Sequence, residues 1–405
     1  MIRKLYRIYR SAYSGLPPAA WLLSAAVFIN RSGSMVLFFL SLYLTRQLDY
    51  SVSGAGRLLT LYGIGSLVGS YLGGYYSDKF GAIRVQIVSL VSSGIGYILL
   101  GRLDSFYGIA VMLFVLAVLA EAFRPANSTA MAEACPPPLR PRGYALNRLA
   151  INLGITIGPA VGGFLAALSY RYIFWVDGIT CIIAAGVLLY FFRKITHRYS
   201  SISSDEEARK SPDFWKDRVF LFVLVLIFFC GLIFVQLFNT WPIYLREVFG
   251  INERFIGLYL TLNAAMIVLL EMPLIHRIEK FNPLKIMAFG SLLLGIGFGL
   301  TAVPGSALYI GLTVVIWTVG EMLVFPLVTA FIAGRSTEKN RGVFMGMYNI
   351  AFSLAVVFGP FVGTGIYDYW NPIILWMLCG TLGLITCIGF IYLHVMLKAT
   401  HHSKF

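Results

Sequence analysis

Residues 152–166 read NLGITIGPAVGGFLA, a run without a single charged side chain, with glycine at 154, 158, 162 and 163 and proline at 159. Residues four apart share a helix face, so the glycines form a groove that another backbone can approach closely, which is how helices pack in lipid. The rest of the chain agrees with that setting. Of 405 residues, 58% are hydrophobic and 12% charged, far from the balance of a soluble domain. Stretches long enough to cross hydrocarbon, roughly 20 residues each, fall at 20–45, 54–76, 84–102, 106–131, 142–167, 172–193, 218–245, 255–276, 285–303, 307–334, 342–366 and 371–397. The runs are too long and continuous for the alternating strands of a barrel, so the fold class is an all-α membrane protein of twelve transmembrane helices.

Residues 194–217, KITHRYSSISSDEEARKSPDFWKD, form the one long polar connection and split the spans six and six. The organisation expected is an amphipathic N-terminal segment at 1–19, a first six-helix bundle at 20–193, a linker at 194–217, a second bundle at 218–397 and a tail at 398–405. In residues 2–13, IRKLYRIYRSAY, the arginines Arg3, Arg7 and Arg10 share one face, as in a helix lying on a membrane surface. Lys and Arg crowd the connections on the side that holds both termini, which places both ends in the cytoplasm. The formal charge of +14 is then explained by anionic membrane lipid, without a nucleic-acid partner.

An offset of 201 residues lays the second half on the first without gaps at many points. Tyr43-Leu44 falls on Tyr244-Leu245, Pro125 on Pro326, Gly158-Pro159 on Gly359-Pro360, Gly162 on Gly363 and Trp175 on Trp376. Two parallel repeats predict a substrate path where they meet, near the bilayer midplane, and a rocking motion that exposes it to each side in turn. The chain has no Walker A, HExxH or GxSxG pattern to support nucleotide-driven transport or hydrolysis. The cysteines Cys135, Cys181, Cys230, Cys379 and Cys387 lack CxxC spacing and sit mostly in apolar runs, so neither a disulfide nor a metal site is expected.

Two motifs resemble those of the major facilitator superfamily, and the resemblance extends over essentially the whole chain. GGYYSDKFGAIR, residues 73–84, is similar to that family's G-x-x-x-D-R-x-G-R-R/K loop through Gly74, Asp78, Lys79 and Gly81. Lys79 stands in place of the usual arginine, Ala82 and Ile83 occupy the basic positions, and Arg84 comes one place later. The resemblance implies a cytoplasmic gating loop in which Asp78 steadies the outward-open state. The opening stretch matches the family's G-x-x-x-G-P-x-x-G-G signature at Gly154, Gly158, Pro159, Gly162 and Gly163 without departure. That signature resembles the one in proton-coupled antiporters, where it seals the outer half between the repeats. Ordinary small-residue packing is the alternative reading.

Charges buried in spans are expensive and therefore mark candidate sites. Arg31, Glu121, Arg124 and Glu321 all come near half depth, on the first, fourth and tenth spans, which in the family line the central cavity. They are the expected proton-coupling and substrate residues, although Glu121 and Arg124, three apart, could instead pair locally. Arg148 and Glu271 are expected to form a gate or a second proton site. Asp177 reads as a satisfied acid near the membrane surface, and the aromatics Tyr62, Phe123, Phe234, Phe238, Trp241, Trp317 and Phe325 as a possible wall for lipophilic cargo. The reading that results is a monomeric, proton-driven exporter of drugs or small amphipathic molecules in a bacterial inner membrane. It needs no cofactor beyond the proton and is not an enzyme. A metabolite symporter or facilitator (peptide, sugar, siderophore) and a transport-inactive sensor are the alternatives.

Overall fold

The computed structural model describes residues 15–192, 217–278, 280–303, 305–335 and 341–402. The basic segment at 1–14, most of the linker and the last residues of the tail lie outside them. All regular elements among the described residues are helical. In chain order they are α1 (Pro18–Gly33), α2 (Val36–Leu42), α3 (Val52–Phe80), α4 (Ala82–Leu100), α5 (Phe106–Glu121), α6 (Phe123–Ala134), α7 (Arg140–Leu168) and α8 (Tyr170–Phe192). The second half continues with α9 (Arg218–Val235), α10 (Thr240–Glu247), α11 (Glu253–Ile278), α12 (Pro283–Leu300), α13 (Ala307–Arg335), α14 (Arg341–Tyr369) and α15 (Pro372–His402).

Eleven helical segments among the described residues are long and apolar enough to cross a membrane. The span expected at 54–76 is present as α3, 29 residues long, but is not among the eleven. Its glycines and tyrosines lower its mean hydropathy without shortening it.

The 201-residue register reappears in the helix limits. Adding 201 to α6, which ends at Ala134, gives the end of α13 at Arg335, and adding it to α7 gives both ends of α14. Packing follows the same register. A Cβ on Gly96 would meet Leu116 Cδ1 at 2.9 Å, and one on Gly297 would meet Trp317 Cβ at 2.6 Å, 201 residues further on in both partners. The second half builds its core from aromatic rings: Phe298 lies 5.2 Å from Trp317, and Tyr244 lies 5.2 Å from Trp376.

By contact, the chain divides into two units. One holds residues 1–39, 61–202 and 253–264; the other holds 40–60, 203–252 and 265–405. Each unit therefore contains a stretch drawn from the opposite sequence repeat.

At the start of the second half, Asp217 has two tasks. Its carboxylate accepts from the Phe220 N–H at 3.0 Å, capping α9, and takes a bidentate pair from Arg335, Nε to Oδ2 at 3.1 Å and Nη2 to Oδ1 at 2.9 Å, tying α9 to the end of α13. Both side chains are partly shielded from water. Asp217→Ala is expected to cost about 1–3 kcal/mol, from the lost cap and the lost charge-assisted bonds, read as a lower melting temperature of purified protein.

Candidate functional site

The first span is not one continuous helix. α1 stops at Gly33 and α2 restarts at Val36. Local chemistry explains the interruption: Ser32 and Ser34 hydroxyls donate to the Phe28 and Asn30 carbonyls at 2.7 and 3.2 Å, and glycine sits between the two serines. Such back-bonding serines and a glycine weaken a helix at one point. The N–H groups that the break exposes are met by Asp177 of α8, whose Oδ2 accepts from Met35 at 3.2 Å and Val36 at 3.0 Å. Asp177 is 1% exposed. It is a satisfied acid, as its sequence context suggested, and what satisfies it is the backbone of the first span. A further bond, Asn30 Nδ2 to Cys181 Sγ at 3.3 Å, joins the same two segments.

The seventh span breaks at the related position. α9 ends at Val235, a single 3-10 turn covers Gln236–Phe238, and α10 begins at Thr240. Here the span's own Gln236 fills the gap. Its Nε2 donates to the Leu232 and Gly359 carbonyls, both at 3.1 Å, and its Oε1 accepts from Thr240 at 2.8 Å. Gln236 stands 201 residues after Met35, so the two breaks coincide in the repeat.

The glycines of the opening motif pack against the first of these breaks. A Cβ on Gly154 would fall 2.6 Å from Arg31 Cβ and 2.9 Å from Ser32 N, one on Gly158 2.9 Å from Ser34 O, and one on Gly162 3.0 Å from Met35 Cβ. Gly163 faces elsewhere: its Cβ would lie 2.6 Å from Glu253 O and 3.1 Å from Gly257 Cα, on the first turns of α11. Around that crossing Tyr170 donates to Glu253 Oε1 at 2.9 Å, and the Arg254 guanidinium lies over the Phe164 ring at 4.1 Å. The motif therefore has two working faces, one seating the backbone that carries Arg31 and one meeting α11.

Other candidate residues are placed as follows. Arg31 and Glu121 are both half-buried and both lie near enough to Tyr62 to act on it electrostatically. Arg124 is exposed, and among the described residues no ion pair joins it to Glu121; the interruption between α5 and α6 at Ala122 falls between the two. Glu321 is half-buried at the middle of α13. Glu271 is buried on α11 and Arg148 exposed on α7.

In the short turn from α3 to α4, Gly81 has φ +89, a conformation that favours glycine, and its N–H donates to Ser77 O at 3.0 Å. Asp78, Lys79 and Arg84 are exposed there, and Asp78 is near enough to Glu133 for the two charges to repel. A Cβ on Gly74 would meet nothing within 4 Å, so no close approach explains that glycine. Arg140 donates to Ala132 O at 3.2 Å, closing the end of α6. The aromatics divide by role. Trp241 and Trp317 are fully buried core, whereas Phe234 stacks edge-on against Phe238 and Phe325 at 5.6 and 5.4 Å.

The family model described as Major Facilitator Superfamily matches residues 21–355 and 240–404. The chain belongs to the Major Facilitator Superfamily. It is thus an integral, multi-pass membrane transporter for small-molecule substrates and not an enzyme. Among related superfamily members, the Na(+), Li(+), K(+)/H(+) antiporter of Planococcus maritimus is 24% identical, over 82% of this chain and 85% of its own. Multidrug resistance protein 1 of Bacillus subtilis is 23% identical over 80% and 82%. In fold, the chain is similar to a point mutant of the peptide transporter POT in complex with alafosfalin, with a TM-score of 0.78, 16% identity and 96% of each chain covered.

Reasoning from sequence missed Asp177 and Gln236 as the residues that hold the two broken helices of this superfamily member. A polar side chain in an otherwise apolar run was the available signal.

Proposed function

We propose that this transporter exports drugs or other small amphipathic molecules in exchange for protons. It works by alternating access as a monomer of twelve spans, with both ends in the cytoplasm of a bacterial inner membrane. The observation that carries this reading is the complete glycine motif, with one face on the Arg31 backbone and the other on Gly257. The antiporter and multidrug relatives support it.

In this mechanism Arg31, Glu121, Arg124 and Glu321 hold substrate and proton in turn, so that binding of either releases the other. A charge at half depth costs at least about 2.5 kcal/mol, so a carboxylate retained there marks a functional site by default. Glu321 and Glu121 are the proton carriers. Asp78, Lys79, Gly81 and Arg84, with Gly74, form the cytoplasmic gating loop, and Arg148 and Glu271 serve as a gate or second proton site. The guanidinium groups of Arg31 and Arg124 favour a second reading, an anionic metabolite carried along with a proton.

Proteoliposomes holding a proton gradient separate the readings. Antiport predicts that adding a cationic dye drives protons against the direction of dye movement; symport predicts that both move the same way. The sodium arm of the same assay tests whether a small cation is the cargo. Glu321→Gln is expected to lower energised flux at least about tenfold while leaving passive counterflow of dye in place. Energised flux equal to that of the natural protein would remove Glu321 from the coupling, and saturable counterflow of any kind excludes an inactive sensor.

A further inference from the structure

A second feature lies where α3 begins and α14 ends, both within one contact unit. A groove of about 390 Å³ runs there, with Ser53 and Arg57 on one wall and Phe361, Ile366 and Tyr369 on the other. Trp370 lines it as well and is 76% exposed. The floor is Gly365, where an added Cβ would meet nothing within 4 Å.

Among the residues that line this groove, Arg57 carries the one charge. Asp368 is the nearby acid, and its Oδ2 accepts from the Ser53 N–H at 3.1 Å. Arg57 is exposed; its guanidinium donates to the Tyr369 hydroxyl at 3.3 Å and, among the described residues, has no ion pair. The Ser53 hydroxyl also reaches Tyr369 Oη, at 3.4 Å. The result is a guanidinium and two hydroxyls above an apolar trough. Exposed tyrosine and tryptophan at the end of a span mark the depth of lipid headgroups.

We propose that this groove binds one anionic phospholipid. The phosphate accepts from Arg57, the Ser53 and Tyr369 hydroxyls complete its hydrogen bonds, and the upper acyl chain lies over Gly365 along Phe361 and Ile366. Charge complementarity selects this occupant. A guanidinium matches a phosphate diester in geometry and supplies the sign it needs, while it repels the cationic amphiphiles that would otherwise suit an aromatic rim. The site is independent of the transport reading, because none of its residues belongs to the proposed proton or substrate set.

Native mass spectrometry of the purified full-length chain in a mild detergent tests it, with phosphatidylglycerol and phosphatidylcholine of identical chains as probes. The natural protein is expected to retain phosphatidylglycerol in preference to phosphatidylcholine. Arg57→Ala should lower that retention about tenfold, the effect of one charge-assisted contact, and Arg57→Lys should restore part of it. Gly365→Leu fills the trough without altering charge and should lower retention too. Excess inorganic phosphate should leave the lipid in place. Equal retention by the natural protein and both Arg57→Ala and Gly365→Leu would overturn the proposal. So would equal binding of phosphatidylcholine, or displacement by phosphate alone, which would assign the site to a free anion.

Discussion

Gly257→Leu is expected to separate α11 from α7 and to abolish transport. A Cβ at 257 collides with the Pro159 carbonyl oxygen and lies 3.0 Å from Gly163 Cα, so the neighbour on that side is backbone with no side chain to rotate away. Overpacking a close contact costs about 1–3 kcal/mol, and a contact between two glycine backbones has less room to relax than most. At about 1.4 kcal/mol per factor of ten, the closed contact should lose between about fivefold and somewhat over a hundredfold of its population. The direct readout is disulfide formation between cysteines at Phe164 and Arg254, whose side chains touch in the natural protein. Cross-linking yield should fall with Gly257→Leu and fall less with Gly257→Ala. Unchanged yield with leucine would show that the crossing tolerates a side chain and that the motif's second face is not needed.

The repeat provides a control. Subtracting 201 from Gly257 gives Gly56, and adding 201 to Gly163 gives Thr364. These two residues meet as well: a Cβ on Gly56 would lie 2.7 Å from Thr364 Cβ. One crossing has glycine on both sides and the other has glycine on one. Exchanging the side chain across the second crossing, Gly56→Thr with Thr364→Gly, should therefore be milder than Gly56→Thr alone. The first crossing has no such compensating partner to shrink.

Much of this arrangement could be read before any coordinates. The glycine motif was legible because small residues four apart have one physical use in lipid, a close backbone approach, and the structure supplies the two backbones approached. The register was legible because helix ends are set by local chemistry that both repeats retained. The breaks in the first and seventh spans were not. A hydrophobic run reports that a segment crosses the membrane, but it carries no mark of where hydrogen bonding lapses. Residues 20–45 hold no internal proline, and the weak point rests on serine hydroxyls whose bonds are visible only in the folded chain. Asp177 was harder still, since its partners are two backbone N–H groups some 140 residues earlier in the chain. Arg57 went unremarked because a single arginine near the start of a span looks like an orientation signal; only its placement beside Tyr369 and the open floor at Gly365 gives it a ligand.

The break in the first span gives the second large effect. Asp177→Ala would leave the Met35 and Val36 N–H groups without their acceptor in a place closed to water. Each buried donor left unsatisfied costs about 1–3 kcal/mol, so the pair should cost about 2–6 kcal/mol, a large share of what a folded domain has to lose. Two responses are open to the chain. The break can heal, with α1 and α2 joining into one helix that satisfies its own N–H groups, or the packing of α1 on α8 can loosen. Healing would turn Met35 and Phe39 away from Gly162, against which both now lie. Asp177→Asn separates acceptor from charge: its amide oxygen can still accept, so it should lose about 1 kcal/mol and keep the break. Melting of purified protein should therefore rank the natural chain above Asp177→Asn and Asp177→Ala lowest. Labelling of a cysteine placed at Ser34 reports the break itself, and should change for the alanine variant and not for the asparagine. If the alanine variant melts with the natural chain and labels like it, the interruption is held by the serines and Gly33 alone, and the acid on α8 has no part in shaping the first span.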